Sequence, residues 1–164
     1  MNNVGAGSKP LWDTESSWAD GTTDDLAYIA REHLFFWSQG VSRDYWYSYD
    51  SGGSTAERVA VNQVYNWMVG STMTAPCSAS GTVWSCGLTD SSGKTTRAVW
   101  NTAGPSGYTI TAGTWADYKK LDGSTNTVSG GTTSVSIGVE PILLETAGTG
   151  TSPSAPTGLT ATVQ

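Results

Sequence analysis

Histidine occurs once in these 164 residues, cysteine twice and phenylalanine twice, and Lys and Arg together number only 8 against 14 Asp and Glu. Each scarcity removes a class of function. With a net charge of −6 and no cluster of Lys or Arg, the chain repels phosphate backbones, which excludes nucleic acid as a partner. One histidine, His33, and two cysteines cannot assemble a four-ligand zinc site, so no metal is expected. No Ser-His-Asp order, phosphate loop or dinucleotide fingerprint occurs, and no cofactor is expected. No apolar run approaches the roughly 20 residues that a membrane span requires. The opening MNNVGAGSKP lacks the charged and apolar regions of a signal peptide.

Small and aromatic residues fill the chain instead. There are 20 Gly, 8 Trp and 7 Tyr, with Ser and Thr throughout. Flat rings with a polar rim stack on pyranose faces while hydrogen-bonding at the edge, a composition common in extracellular sugar-handling proteins. Cys77 and Cys86 are separated by nine positions across a Ser/Gly-rich stretch. A short-loop disulfide formed in an oxidising compartment fits that spacing better than two free thiols. A secreted-looking body without its leader suggests a chain cut from a longer one.

The first seventy residues alternate. Lys9 to Glu15 is short, apolar and strand-like. Thr22, Thr23, Asp24 and Asp25 supply capping hydroxyls and first-turn carboxylates, which explains the acidic run without calcium. Leu26, Ile29, Ala30, His33, Leu34 and Trp37 follow at helical spacing, with Gly40 as the stop. Val41 to Tyr49 is aromatic and strand-prone. Ser54 or Thr55 with Glu57 caps a second helix through Val61, Val64, Tyr65 and Met68, ending near Gly70. Strand, helix, strand, helix is the pattern of parallel β/α architecture.

Beyond residue 72 the pattern changes. Val83–Leu88, Arg97–Asn101, Tyr108–Ile110, Ala116–Leu121, Ser134–Ile137 and Pro141–Glu145 read as short strands between Gly-rich turns, the pattern of an antiparallel sandwich. Three segments are expected: 1–72 in the β/α pattern, 73–146 as the sandwich, and 147–164 as a Gly/Ser/Thr/Pro linker. The last begins with nothing to bury and closes on Pro153-Ser-Ala-Pro-Thr-Gly-Leu-Thr-Ala-Thr-Val163, which resembles the first strand of a fibronectin type III module.

Glu15 ends its strand and is followed by Ser16-Ser17-Trp18. In β/α barrels the C-terminal strand ends carry the catalytic groups. The run PLWDTESSW resembles the seventh strand of the retaining glycoside hydrolases of clan A. The likeness continues through Arg43-Asp-Tyr-Trp-Tyr-Ser-Tyr-Asp50, Trp67-Met-Val-Gly70, Val99-Trp-Asn101 and Pro141-Ile-Leu-Leu-Glu145. It implies an α/β plus all-β fragment, the last two β/α units of a TIM-type barrel followed by an antiparallel β-sandwich. It also implies a secreted glycosidase cleaving O-glycosyl bonds, with Glu15 as nucleophile and a carbohydrate as substrate. The clan's acid/base glutamate sits at the end of strand four, which is absent here, so inactivity of this chain alone is expected. The remaining barrel and the fibronectin-like domains would be its partners in the parent protein.

Asp13 lies two positions before Glu15, and strand alternation puts the two on one face. Two groups on one face cannot flank a scissile bond, so Asp13 is not the missing acid. Trp18, Trp46, Tyr47 and Tyr49 are the candidates for gripping the sugar, while other aromatics of that strand wall the barrel. His33 is expected to be a packed, hydrogen-bonded side chain, and Trp84, Trp100 and Trp115 to be core. The rival is a non-catalytic carbohydrate-binding or structural sandwich module.

Overall fold

The computed structural model describes residues 9–16, 25–46 and 54–147. It is mostly β-sheet with two helices. The elements run β1 (Leu11–Ser16), α1 (Asp25–Ser38), β2 (Val41–Trp46), α2 (Thr55–Met68), β3 (Thr72–Ser80), β4 (Val83–Thr89), β5 (Thr95–Asn101), β6 (Ser106–Thr111), β7 (Asp117–Lys119), β8 (Thr125–Thr127), β9 (Thr132–Ile137) and β10 (Ile142–Glu145).

The β/α alternation is present: β1 and β2 pair in parallel, joined through α1. Both helix stops fall on left-handed glycines, Gly40 at φ +80° and Gly70 at φ +74°, where a Cβ would be strained. Ser54 opens α2 with a complete capping box: its hydroxyl accepts from the Glu57 N–H, and the Glu57 carboxylate accepts from the Ser54 N–H.

The antiparallel part forms a six-stranded sheet in the order β3-β4-β5-β10-β7-β8, with a separate β6–β9 ladder. Two cores lie on its two faces. Ala98, Trp100, Leu88, Cys86 and Leu143 meet Leu34 of α1 and Ala60, Val64 and Trp67 of α2. Val99, Ile142 and Leu144 face the other way, onto Ile110, Val135 and Ile137 of the β6–β9 ladder. Strand β10 is therefore covered on both faces, and all four of its residues are buried. A helix pair closes one face and a two-stranded ladder the other.

Two strands escape the sequence pattern. Strand β8 has three residues, too few to show alternation. Strand β3 buries only Cys77 and contains Pro76, which a sheet tolerates at an edge; β3 is the edge strand. Cys77 and Cys86 form a disulfide across β3 and β4. Trp84 and Trp100 are directly opposite on β4 and β5, stacked with ring centroids 5.9 Å apart. Trp100 and Trp115, 3% and 8% exposed, are core residues, as expected, and Trp84 is partly buried against the core that holds Trp100. Removing the disulfide by Cys77→Ala/Cys86→Ala is expected to cost about 2 kcal/mol in urea unfolding, the unfolded-state restraint of a short loop. Intact mass under denaturing conditions should rise by the two hydrogens taken up on reduction.

The six-stranded sheet buries a carboxylate at the end of β10. Glu145, at the end of β10, is 5% exposed and accepts from Lys119 Nζ at 2.8 Å. Its cross-strand neighbour Asp117 has its carboxyl pushed up, first by burial and then by the shared hydrogen bond and charge of Glu145. Lys119→Ala removes the cation bonded to Glu145 and leaves Lys94 as the positive charge acting on Asp117. A loss of about 2 kcal/mol is expected at neutral pH, less than for a fully buried pair because Lys119 is partly solvated. Urea curves should show that loss shrinking in acid, where protonated carboxyls need no counter-ion.

Candidate functional site

The ends of β1 and β2 carry the site. In a parallel pair both C-terminal ends emerge on the same side, and Ser16 is in register with Trp46. The register is irregular in between. Asp13 pairs with Asp44 and Ser16 with Trp46, so β1 spends three steps where β2 spends two. One extra residue in β1 is a bulge, and a bulge reverses the alternation beyond it.

That reversal sorts the side chains. Asp13 and Asp44 face α1, where their oxygens lie within 4.8 Å of one another and of Glu32. Ser16, beyond the bulge, faces the same way and donates its hydroxyl to Asp44 Oδ1 at 2.7 Å. Counted back from Ser16, alternation directs Glu15 to the opposite face. The expectation that Asp13 and Glu15 share a face is thus corrected: the extra residue puts them on opposite sides. Glu15 is exposed, and its backbone N–H donates to Asp13 Oδ1 at 3.2 Å.

The face assigned to Glu15 also presents Trp12 and Tyr45, 52% and 47% exposed, with Leu11 beside them. The Arg43 guanidinium lies 5.1 Å from the centre of the Trp12 ring. Parallel sheets are ordinarily covered on both faces. Here α1 covers one, and among the described residues nothing covers the other.

On the helix side Asp13, Glu32 and Asp44 form one carboxylate cluster. Burial, chiefly, pushes the Glu32 carboxyl above its ordinary range; Ser16 and His33 oppose the rise, while Asp44 and Asp13 add to it. His33 is packed and hydrogen-bonded, as expected, with Nδ1 2.7 Å from the Ile29 carbonyl and Nε2 3.6 Å from Asp44 Oδ2. Trp46 is half-buried on this side, its ring centre 6.1 Å from that of His33. An open cleft of about 700 Å³ continues from here between α1, β2 and α2 and takes lining from both faces of β2, Asp44 and Trp46 as well as Arg43 and Tyr45, with Phe36, Tyr65 and Met68. A smaller polar cleft of about 230 Å³ lies between α2 and the sheet, beside Glu145 and Lys119.

Of the residues singled out from sequence, Glu15 and Trp46 come to the same end of the parallel pair, on opposite faces. Trp18, Tyr47 and Tyr49 lie outside the described residues, as do Thr22, Thr23 and Asp24. Sequence reasoning missed Trp12, Tyr45 and the Ser16–Asp44–His33 contacts. The pairing of Trp12 with Arg43, two before Tyr45, is what puts Trp12 and Tyr45 on one face, and neither that register nor the bulge beside Glu15 leaves a mark in the sequence. No helix among the described residues is long and apolar enough to cross a membrane.

No protein-family model matches the chain, and no curated protein matches its sequence. Solved structures do match. A family 39 glycoside hydrolase from the gut symbiont Bacteroides cellulosilyticus WH2 superposes with a TM-score of 0.61 at 18% identity, over 84% of this chain and 34% of its own. A family 30 endoxylanase from Clostridium papyrosolvens C71 gives 0.56 at 18% identity, over 88% of this chain and 43% of its own. A family 30 subfamily 8 xylanase from Clostridium acetobutylicum gives 0.56 at 13% identity, with the same shares. This chain thus spans less than half the length of the glycoside hydrolases it matches, and it has the fold of that part of them.

Proposed function

We propose that this chain is the C-terminal part of a retaining glycoside hydrolase acting on O-glycosidic bonds of a poly- or oligosaccharide, with Glu15 as its nucleophile. One observation carries the proposal: Glu15 is next to last in a parallel strand, beyond a bulge after which alternation directs it to the face of Trp12 and Tyr45, both exposed among the described residues. A nucleophilic carboxylate must sit opposite a second carboxyl about 5–5.5 Å away across the scissile bond. Asp13, Glu32 and Asp44 lie on the helix side, so the acid/base is to come from further barrel strands. The bare face of the parallel pair supports that, because two strands cannot close a barrel.

In this scheme the anomeric carbon is attacked by a Glu15 oxygen, the acid/base protonates the departing oxygen, and water then releases the sugar. Trp12 and Tyr45 join Trp18, Tyr47 and Tyr49 as the sugar-stacking candidates, while Trp46 supports the site from the helix side. Residues 1–72 form the end of the barrel, 73–146 a sandwich that buttresses it, and 147–164 a linker into a fibronectin-like module. The acidic composition and the disulfide support a secreted protein.

The test is a 2-deoxy-2-fluoro glycosyl fluoride, whose electron-poor ring slows release of the covalent intermediate. Incubated with the protein carrying its upstream strands, it should add one glycosyl mass to the tryptic peptide containing Glu15. Labelling of another carboxylate overturns the assignment. Absence of labelling alongside sugar binding by this chain alone favours the binding-module alternative.

A further inference from the structure

We propose that Ser16, Asp44 and His33 are positioning residues for the Glu15 carboxylate, acting through the bulge on which it sits. The proposal rests on Glu15 being the nucleophile and goes beyond it, to what aims that group.

Glu15 lies between two anchors. On one side its own N–H is taken out of the strand ladder by Asp13 Oδ1. On the other, Ser16 is tied to β2 by its bond to Asp44 Oδ1. Asp13 and Asp44 are themselves paired in register. Both anchors therefore end in one carboxylate cluster on the helix side, and Glu15 projects from the apex between them. The extra residue of a bulge is left out of the ladder, so side-chain bonds beside it help to fix its conformation.

The far end of the chain of contacts is His33. Its Nδ1 faces the Ile29 carbonyl at 2.7 Å and so carries a proton. In the neutral ring Nε2 is then a bare lone pair, aimed at Asp44 Oδ2 from 3.6 Å. Oδ2 is buried and has no hydrogen-bond donor among the described residues. Only a second ring proton turns that contact from lone pair against lone pair into an attraction. The other charged and titratable groups around the ring are Glu32 on its own helix, Asp13 on β1, and Tyr65 of α2 lining the adjoining cleft. Arg43 and Tyr45 of β2 also line that cleft, with the Arg43 guanidinium held 5.1 Å from the centre of the Trp12 ring. The doubly protonated ring thus steadies Asp44, Asp44 steadies Ser16, and Ser16 fixes the bulge.

The experiment uses this chain, labelled with ¹⁵N, and needs no activity. His33 is the sole histidine, so its ring resonances are read without ambiguity. With rising pH, Glu15 amide exchange, corrected for its intrinsic base catalysis, should increase with the same midpoint as the His33 ring titration. Ser16→Ala should raise exchange about tenfold at all pH values, the loss of one hydrogen bond to a charged group. Ser16→Thr, which keeps the hydroxyl, should restore it. His33→Gln donates an N–H at every pH, so it should keep the low exchange and abolish the pH step. A Glu15 amide indifferent to the His33 titration, or equally protected in Ser16→Ala, overturns the proposal, even if melting temperature falls. Should the variants not fold, the wild-type titration alone decides. Because the readout is an amide, a negative result here is distinct from failure of Glu15 as nucleophile, which only sugar chemistry reports.

Discussion

Glu15→Gln, made in the protein that carries the upstream strands, is expected to abolish glycoside cleavage, lowering kcat/KM about 10⁴-fold or more. The amide is isosteric but cannot form a stable ester with the anomeric carbon, so the first step fails while binding survives. KM should therefore change little. Glu15→Gly sharpens the test. It leaves a space beside the anomeric carbon, and added azide or formate should restore turnover of an activated aryl glycoside with inversion at that carbon. An external anion can enter only from the face that Glu15 left, so the stereochemistry reports which side the carboxylate occupied. Undiminished cleavage with Gln at this position would transfer the chemistry to another residue and leave this segment a scaffold.

Leu34→Ala is expected to lower the unfolding free energy by about 3 kcal/mol, the loss of a fully buried leucine plus its cavity. Leu34 belongs to α1, yet its core neighbours include Cys77, Cys86, Leu88 and Trp100 of the six-stranded sheet. The Cys77 sulfur lies 3.4 Å from the Leu34 carbonyl oxygen. The effect should thus appear as one transition, with helical ellipticity and the near-ultraviolet signal of the Trp84–Trp100 stack lost together. If the helices melt while the tryptophan signal persists, the shared core is not what joins the two parts. Two-state behaviour here means that the sheet and the β/α part unfold as one cooperative unit.

Much of this was legible in the chain. Helix α1 follows from the spacing of Leu26, Ile29, Ala30, His33 and Leu34 and the stop at Gly40. Helix α2 follows from Ser54 and Glu57, whose capping bonds are those the spacing predicts. Strands β4, β5, β6, β9 and β10 show through because turns bound them. Strand β3 did not, because an edge strand buries one residue and so has no alternating pattern to read.

The site divides in the same way. Local sequence determined that a carboxylate, Glu15, lies at the C-terminal end of a strand, next to its last residue Ser16, that His33 is packed, and that aromatic residues crowd the next strand. Only the tertiary structure decided which face each occupies. Side-chain direction in a strand depends on counting by twos, and a single unpaired residue changes the count without leaving a mark in the sequence. Asp13 and Glu15, two apart, look like neighbours on paper. Pairing β1 against β2 inserts the bulge, gathers Asp13 with Glu32 and Asp44 beneath α1, and turns Glu15 toward Trp12 and Tyr45. Register is a property of two strands together, so one strand's residues cannot state it.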